Sequence, residues 1–229
     1  MELLETYRSV RVALVTVTLS LAAFSLSTRA CAQGVSAGIC TPVSKRTAEL
    51  GCWIMVDEPV GQLSKSRTFW HLDVYPTRLA AEAVKGPRST VLKSLGKVWL
   101  LTIEEPRWHP RIKGQHVATI GPLPVISGEK YSAQYMEAIF NPGMTSAVHT
   151  HAGPEAWYTE AGETCLETPQ RVYRGRAGGP PVIVPAGLTM HLTATGKQQR
   201  RALVLILHES SKPPSTIMHD WTPKGLCKP

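Results

Sequence analysis

Two histidines and a glutamate stand close together in the second half of the chain: His149, His151 and Glu155. The histidines are two positions apart, and in a β-strand this spacing places both imidazoles on the same face. Glu155 follows Gly153-Pro154, a turn that would return the chain as the neighbouring strand. Two imidazoles and one carboxylate that converge in this way form a site for a divalent transition metal with open coordination positions.

The residues around these three resemble the first conserved motif of the cupin superfamily. All fixed positions of that motif are present at its spacing: Gly143, His149, His151, Glu155 and Gly162. The resemblance covers about residues 132–209 and implies a double-sheet jelly-roll barrel. It also implies a metal ion inside the barrel, which could be Fe, Mn, Ni, Cu or Zn because histidine and carboxylate ligands suit all of them.

The second cupin motif is present with one departure. Its Gly-x5-Pro-x-Gly part matches and ends at Gly187, but three residues instead of two precede His191, and Thr195 replaces the family's Asn. Because side chains alternate along a strand, the extra residue would place Met190 at the ligand position and turn His191 away. A bulge near Gly187 would instead restore His191 to the interior, and we slightly favour the bulge. The predicted metal ligands are His149, His151, Glu155 and His191.

Strand alternation also predicts which side chains line the cavity. Trp157 and Thr159 share the face of Glu155, and Tyr135 shares a face with Glu137 on the preceding strand. Glu137 is a candidate second carboxylate in the pocket, where it could act as a base or a ligand, or it is an outward-facing surface residue. The predicted substrate-binding residues are Tyr135, Trp157, Thr159 and Met190.

The elements that position these residues are predicted to be mostly strands. Short apolar runs separated by Gly, Pro and Asn turns extend over residues 116–208, which is typical of a sandwich or barrel. Before them, strands are predicted at 52–56, 69–75 and 98–103, with a helix after Thr77 and a second short helix from Ser89 to Leu95. The fold class is therefore mainly β. The predicted organisation is a signal peptide at 1–32, an N-terminal α+β extension at 33–130, a cupin-like double-stranded β-helix (jelly-roll) barrel at 131–210, and a C-terminal tail at 211–229.

The first 32 residues are interpreted as a secretory signal peptide. Arg8 and Arg11 precede an uncharged apolar stretch of 15 residues, and Ala30-Cys31-Ala32 supplies the small residues of a cleavage site after Ala32. The alternatives are an N-terminal membrane anchor, for which the stretch is short, and a lipid anchor on Cys31. We expect a secreted or periplasmic protein with no stable membrane anchor after cleavage.

Removal of the signal would leave four of the five cysteines: Cys40, Cys52, Cys165 and Cys227. An even number in an oxidising compartment predicts two disulfides, with three connectivities that the sequence does not distinguish. The alternative is four buried or reactive thiols. No Cys/His spacing typical of a zinc site occurs in the sequence.

The chain carries a formal net charge of +8, which raises the question of a nucleic-acid partner. Its basic residues are scattered, however, and Tyr173 alone is interleaved with them as an aromatic. We therefore interpret them, including those from Lys197 to Arg201, as a solvated positive surface. This interpretation predicts no nucleic-acid binding and a modest preference for anionic ligands.

Two functions follow from the resemblance. In the first, the protein is an exported metal-dependent enzyme with dioxygenase, isomerase or decarboxylase chemistry on a small molecule in the barrel cavity. In the second, it is a non-catalytic small-molecule-binding module with a degenerate metal site, since fold does not determine function. The family resemblance also implies a homodimer.

Overall fold

The structure, a computed structural model, describes residues 40–64 and 67–228. The predicted signal peptide at 1–32 lies outside the described residues. The described strands and helix are, in chain order, β1 (Thr41–Pro42), β2 (Gly51–Gln62), β3 (Phe69–Tyr75), α1 (Arg78–Glu82), β4 (Ser89–Ser94), β5 (Lys97–Glu104), β6 (Gln115–Ile120), β7 (Lys130–Phe140), β8 (His149–His151), β9 (Glu155–Ala161), β10 (Glu163–Glu167), β11 (Val172–Arg176), β12 (Val182–Val184), β13 (His191–Thr195), β14 (Arg200–Glu209) and β15 (Ser215–Ile217).

Two sheets enclose the core that contains the site. One has six strands in the order β1-β2-β7-β14-β9-β12, and the other has three in the order β11-β10-β13. Apolar side chains from both sheets pack between them, including Met136 of β7, Val204 of β14, Leu166 of β10 and Leu192 of β13. Two β-sheets packed face to face around one core give the mainly β, cupin-like jelly-roll fold that was predicted.

A second core lies on the other face of the six-stranded sheet. A four-stranded sheet in the order β4-β5-β3-β6 covers that face. Trp70 and Trp99 of this sheet pack in one cluster with Tyr135, Ile139 and Leu205 of β7 and β14. Strands β7 and β14 are therefore buried on both faces, which removes the polar and apolar alternation of a one-sided sheet.

The chain before residue 130 contains one α-helix among its described residues. The helix predicted after Thr77 is α1, and the Thr77 hydroxyl accepts a hydrogen bond from the backbone N–H of Ala80 at 3.1 Å. The second predicted helix, from Ser89 to Leu95, is wrong because this segment is β4. Leu95 and Gly96 both have positive φ and form a two-residue hairpin turn into β5.

Two disulfides are present, which confirms the predicted number and settles their connectivity. Cys40 pairs with Cys52, and Cys165 pairs with Cys227. The second bond ties the C-terminal segment to β10, where the Glu167 carboxylate accepts hydrogen bonds from the backbone N–H groups of Lys224 and Leu226. Two disulfides are consistent with an extracellular or periplasmic protein. In the described part of the chain, no helix is long and apolar enough to cross a membrane.

Candidate metal centre

Strand β8 presents His149 and His151 to the core between the two sheets. Both side chains are buried, and their ring centroids are 4.8 Å apart. The strand is three residues long and pairs with β15, so that His151 lies opposite Ser215 and His149 opposite Ile217. The C-terminal segment, to which sequence analysis gave no role, therefore holds the histidine-bearing strand in place.

Each histidine is oriented by a backbone carbonyl. His149 Nδ1 lies 2.8 Å from the carbonyl oxygen of Ala147, and His151 Nδ1 lies 3.0 Å from that of Pro214 and 2.9 Å from the Ser215 hydroxyl. Because a carbonyl oxygen can only accept, the proton of each neutral ring is on Nδ1, and Nε2 carries the free lone pair. Metal-binding histidines are held in this way, with the second nitrogen donating to a carbonyl or carboxylate.

The protein interior also keeps both rings uncharged. Burial lowers the pKa of His149 to about 4, and the neighbouring His151 lowers it in the same direction. Burial likewise lowers the pKa of His151 to about 4, against the opposing effect of the Pro214 carbonyl. At neutral pH both imidazoles are therefore in the form that binds a metal ion.

We expect the free energy of unfolding of chelator-treated protein to fall as the pH is lowered from about 6.5 to about 4. Between these values the unfolded histidines bind protons and the folded ones, with pKa values of about 4, do not. The loss should be about 3 kcal/mol for each histidine and complete below pH 4. Urea unfolding at pH 7 and pH 4 measures it. The double variant His149→Gln/His151→Gln should lose less stability over this range, and an identical loss would contradict the assignment.

Glu155 brings a carboxylate to the same cavity. It is the first residue of β9, it is buried, and its Oε2 atom has no hydrogen-bond partner among the described residues. Burial raises the pKa of Glu155, while His149, Trp157 and Arg200 act in the opposite direction. An unpartnered buried carboxylate oxygen is costly unless something binds it.

The donor atoms have the chemistry of a transition-metal site, but they are spread wider than a bound ion would hold them. His151 Nε2 and Glu155 Oε2 are 3.8 Å apart, whereas two ligand atoms each about 2.1 Å from one ion lie about 3.0–3.4 Å from each other. Within residues 40–64 and 67–228, no three His, Cys, Asp or Glu side chains are close enough to form a metal-binding group as they stand. The two imidazoles and the carboxylate fit a divalent transition metal, and the carboxylate would have to move by about 0.5 Å.

The structure places Met190, and not His191, at the position facing His149. His149 and Met190 exchange two backbone hydrogen bonds of 3.0 and 2.8 Å, so their side chains lie on the same face. Met190 is fully buried in the core between the sheets. The predicted inward orientation of His191 is not found: Leu192 and Leu166 face the core as a cross-strand pair, so the neighbouring pair of His191 and Glu167 lies on the outer face of this sheet. His191 is half-buried there, outside the group of His149, His151 and Glu155.

Glu137 and Tyr135 face the other core, which corrects their predicted place in the pocket. The Glu137 carboxylate accepts hydrogen bonds from Arg46 Nη1 at 2.6 Å, the Ser94 hydroxyl at 2.6 Å and the Leu95 backbone N–H at 2.8 Å. Tyr135 packs against Trp70 in the cluster under the four-stranded sheet. Glu137 is therefore a buried structural carboxylate, and neither side chain reaches the cavity beside the histidines.

The two predicted substrate-binding residues of β9, Trp157 and Thr159, both border a separate cavity that also contacts Gly178 and Pro180. Trp157 is buried in the core between the two sheets, but neither residue lines the cavity beside the histidines. The cavity beside the histidines measures about 30 Å³, and it is lined by Met136, Ala138, Phe140, Ser146, His149, His151, Glu155, Leu192, Arg200, Val204 and the Cys40–Cys52 disulfide.

Sequence reasoning missed Arg200, which it assigned to a solvated basic surface. Its side chain is completely buried and lines the same cavity as Glu155. One signal in the sequence could have found it. Side chains an even number of positions apart on a strand share a face, and Arg200 is two, four and six positions from Ala202, Val204 and Ile206, which all face this core.

Comparisons with known proteins give cupin-fold structures. No protein-family model and no curated protein matches the chain. A cupin-like protein of Thermotoga maritima is 15% identical over 38% of this chain and 64% of that one, with a TM-score of 0.34. A cupin-2 domain-containing protein of Shewanella frigidimarina is 14% identical over 36% and 74%, with a TM-score of 0.28. A DMSP lyase of Ruegeria pomeroyi is 22% identical over 44% and 48%, with a TM-score of 0.33. The chain covers less than two thirds of the length of the first and the third of these proteins. The similarity concerns the fold alone.

Proposed function

We propose that this protein is an exported metal-binding cupin that acts as a metal-dependent enzyme, of dioxygenase or isomerase type, on a small molecule in its barrel cavity. The proposal rests on a single arrangement at one end of β8 and β9. Two neutral histidines, each fixed through Nδ1 by a backbone carbonyl, line one cavity with Glu155, and His151 Nε2 lies 3.8 Å from the unpartnered Oε2 of that glutamate. Imidazole and carboxylate together are the ligand types of catalytic transition-metal sites.

Residues of the chain fix the orientation of the imidazoles, supply the carboxyl group and limit the access of water at this site. The carbonyl oxygens of Ala147 and Pro214 fix the rings and their tautomer. Glu155 supplies a carboxyl group in a buried position, where burial raises its pKa and a bound cation would favour its ionised form. Phe140, Met136 and Val204 form an apolar wall that limits access of water. A bound divalent transition metal would supply Lewis-acid polarisation or O₂ activation at the positions that the protein leaves open.

Export is the second part of this proposal. It is supported by the signal-like residues 1–32 and by the presence of both disulfides. Expression of the full-length chain in a bacterial host followed by mass determination of the periplasmic product tests it. A product that begins at Gln33 supports export, and an uncleaved chain found only in the cytoplasm contradicts it.

The catalytic function is tested by elemental analysis of the purified protein, followed by O₂-uptake assays with phenols and keto acids and by isomerase assays. About one transition-metal ion per chain together with turnover supports the enzyme. Chelation should abolish the turnover, and re-addition of the metal should restore it. A chain that binds no transition metal even when the ion is supplied in excess contradicts the proposal.

A non-catalytic binding module is the second candidate, and Met190 favours it. A thioether occupies the position opposite His149 at which a fourth ligand is expected, and it is a poor ligand for most of the metals that imidazole and carboxylate prefer. Substoichiometric metal together with tight binding of a small molecule would support this candidate over the enzyme.

A further inference from the structure

Arg200 is the one fully buried arginine among the described residues, and it lies inside the barrel. It is 0% exposed, and it is the first residue of β14. Its neighbour Arg201 takes the opposite face, where it is half-buried and pairs with Glu160. Isolated guanidinium groups are almost never buried without an anionic partner, because removing the charge from water costs several kcal/mol.

The Arg200 guanidinium is only partly satisfied. Its Nε atom donates a hydrogen bond to the Thr164 hydroxyl, but neither Nη1 nor Nη2 has a partner among the described residues. The rings of Phe140 and Trp157 lie 5.5 and 6.0 Å from the guanidinium carbon. Aromatic faces stabilise the cation but accept no conventional hydrogen bond, so the donors of two amino groups remain free.

No carboxylate of the described chain completes this pair. Glu155 lines the same cavity as Arg200, yet no ion pair joins them within 4.0 Å, and Glu155 Oε2 is itself unpartnered. Trp157 Nε1 is a further buried donor without a partner in the described residues. Among the described residues of the core between the two sheets, the two amino groups of Arg200 thus lack partners against one carboxylate oxygen of Glu155, which is an excess of donors.

The cation is charged under ordinary conditions. Burial lowers the pKa of Arg200 to about 10, against the opposing effect of Glu155. At neutral pH the group keeps its positive charge, and an oxygen-bearing anion would satisfy it better than water.

We propose that Arg200 is the anion-binding subsite of this cavity and that the ligand is a small organic carboxylate. A planar carboxylate can accept one hydrogen bond from Nη1 and one from Nη2, which matches the fork of the guanidinium. Arg200 shares a small cavity of about 30 Å³ with His149, His151 and Glu155. Because Nη1 and Nη2 are both fully buried, binding of a carboxylate would require the side chains around them to move apart. The inference rests on the proposed function in one respect, since the rest of the ligand would extend toward His149, His151 and Glu155.

Acetate binding to chelator-treated protein tests the subsite without any metal. Calorimetric titration should detect acetate at an ionic strength matched with sodium chloride, while acetamide, a neutral molecule of the same shape, should not bind. The variant Arg200→Met should bind acetate roughly ten- to hundred-fold more weakly, because it lacks the charged donors. Arg201→Met, which removes the neighbouring arginine on the opposite face of β14, should bind acetate like the wild type.

Arg200→Met is expected to fold, because an apolar side chain of similar length often replaces a buried charge without loss of stability. If it does not fold, Arg200→Lys keeps the charge but loses the fork, and it should bind acetate more weakly than the wild type. The inference is overturned if the wild type does not bind acetate, if acetamide binds as well as acetate, or if Arg200→Met retains full affinity. Metal stoichiometry is measured in a separate experiment. A failure to bind metal would contradict the proposed function and leave the acetate result valid, whereas a failure to bind acetate would contradict this inference and leave the metal result valid.

Discussion

As a test of the proposed metal site, replacing His149 with alanine is expected to lower the transition metal bound by metal-supplemented protein from about one ion per chain to background. His149 supplies one of three donor groups, and no other histidine of the described chain faces the cavity beside His151 and Glu155. Changes to residues that merely orient a ligand already cost about 10–100-fold in metal affinity, so removal of the ligand itself should cost more than about 100-fold. Elemental analysis after dialysis against a weak chelator measures the loss.

His191→Ala is the matched control for this experiment. His191 is the histidine of the second motif, and it lies on the outer face opposite Glu167. Its removal should leave the metal content at the wild-type level. Equal metal loss in both variants would show that His191 is a ligand and that the orientation of β13 is different from the one described.

Gly153→Ala is expected to lower the free energy of unfolding by about 4 kcal/mol or more. An added Cβ would lie 1.8 Å from the Leu207 carbonyl oxygen and 2.7 Å from the His208 Cα atom. These are backbone atoms of β14, and Pro154 is bound to the same strand through its carbonyl oxygen, which accepts from Leu207 N–H at 2.9 Å. Relief of the clash would require the turn to separate from β14, which would displace Glu155. Urea unfolding of both proteins measures the effect.

Gly86→Ala serves as the control for this substitution. An added Cβ there would meet only the Ser89 hydroxyl oxygen at 3.4 Å, which is an ordinary contact, and its φ is not in the left-handed region. The change should alter stability by no more than about 1 kcal/mol. Wild-type stability of Gly153→Ala would contradict the close approach of this turn to β14.

The placement of His149 and His151 on one buried face could be predicted because it depends on local geometry alone. Two positions along any strand point to the same side, whatever the strand packs against. The number of disulfides could also be predicted, because it follows from the number of cysteines that remain after residue 32. The mainly β fold followed from the frequent turn residues, although Ser89 to Leu95 was misread as a helix because Gly96 belongs to a hairpin turn and does not end a helix.

Glu137 and Arg200 show where the sequence was insufficient. Each lies on a strand with cores on both faces, so a polar and apolar alternation that would identify the inner face is missing. Parity correctly grouped Tyr135 with Glu137, but it could not show that this pair meets the four-stranded sheet. In the same way, strand periodicity groups Arg200 with Val204 and Ile206, but only the sheet packing shows that this group meets the core beside Glu155.

The histidine pair with its glutamate was thus determined by the sequence itself, because strand periodicity and a Gly-Pro turn act over a few residues. Only the tertiary structure decided which groups complete the site. It brought the carbonyl of Pro214 to His151, turned Met190 inward in place of His191, and buried Arg200 beside Glu155. These contacts join segments far apart in the chain, and strand register and sheet packing, which no local pattern specifies, determine them.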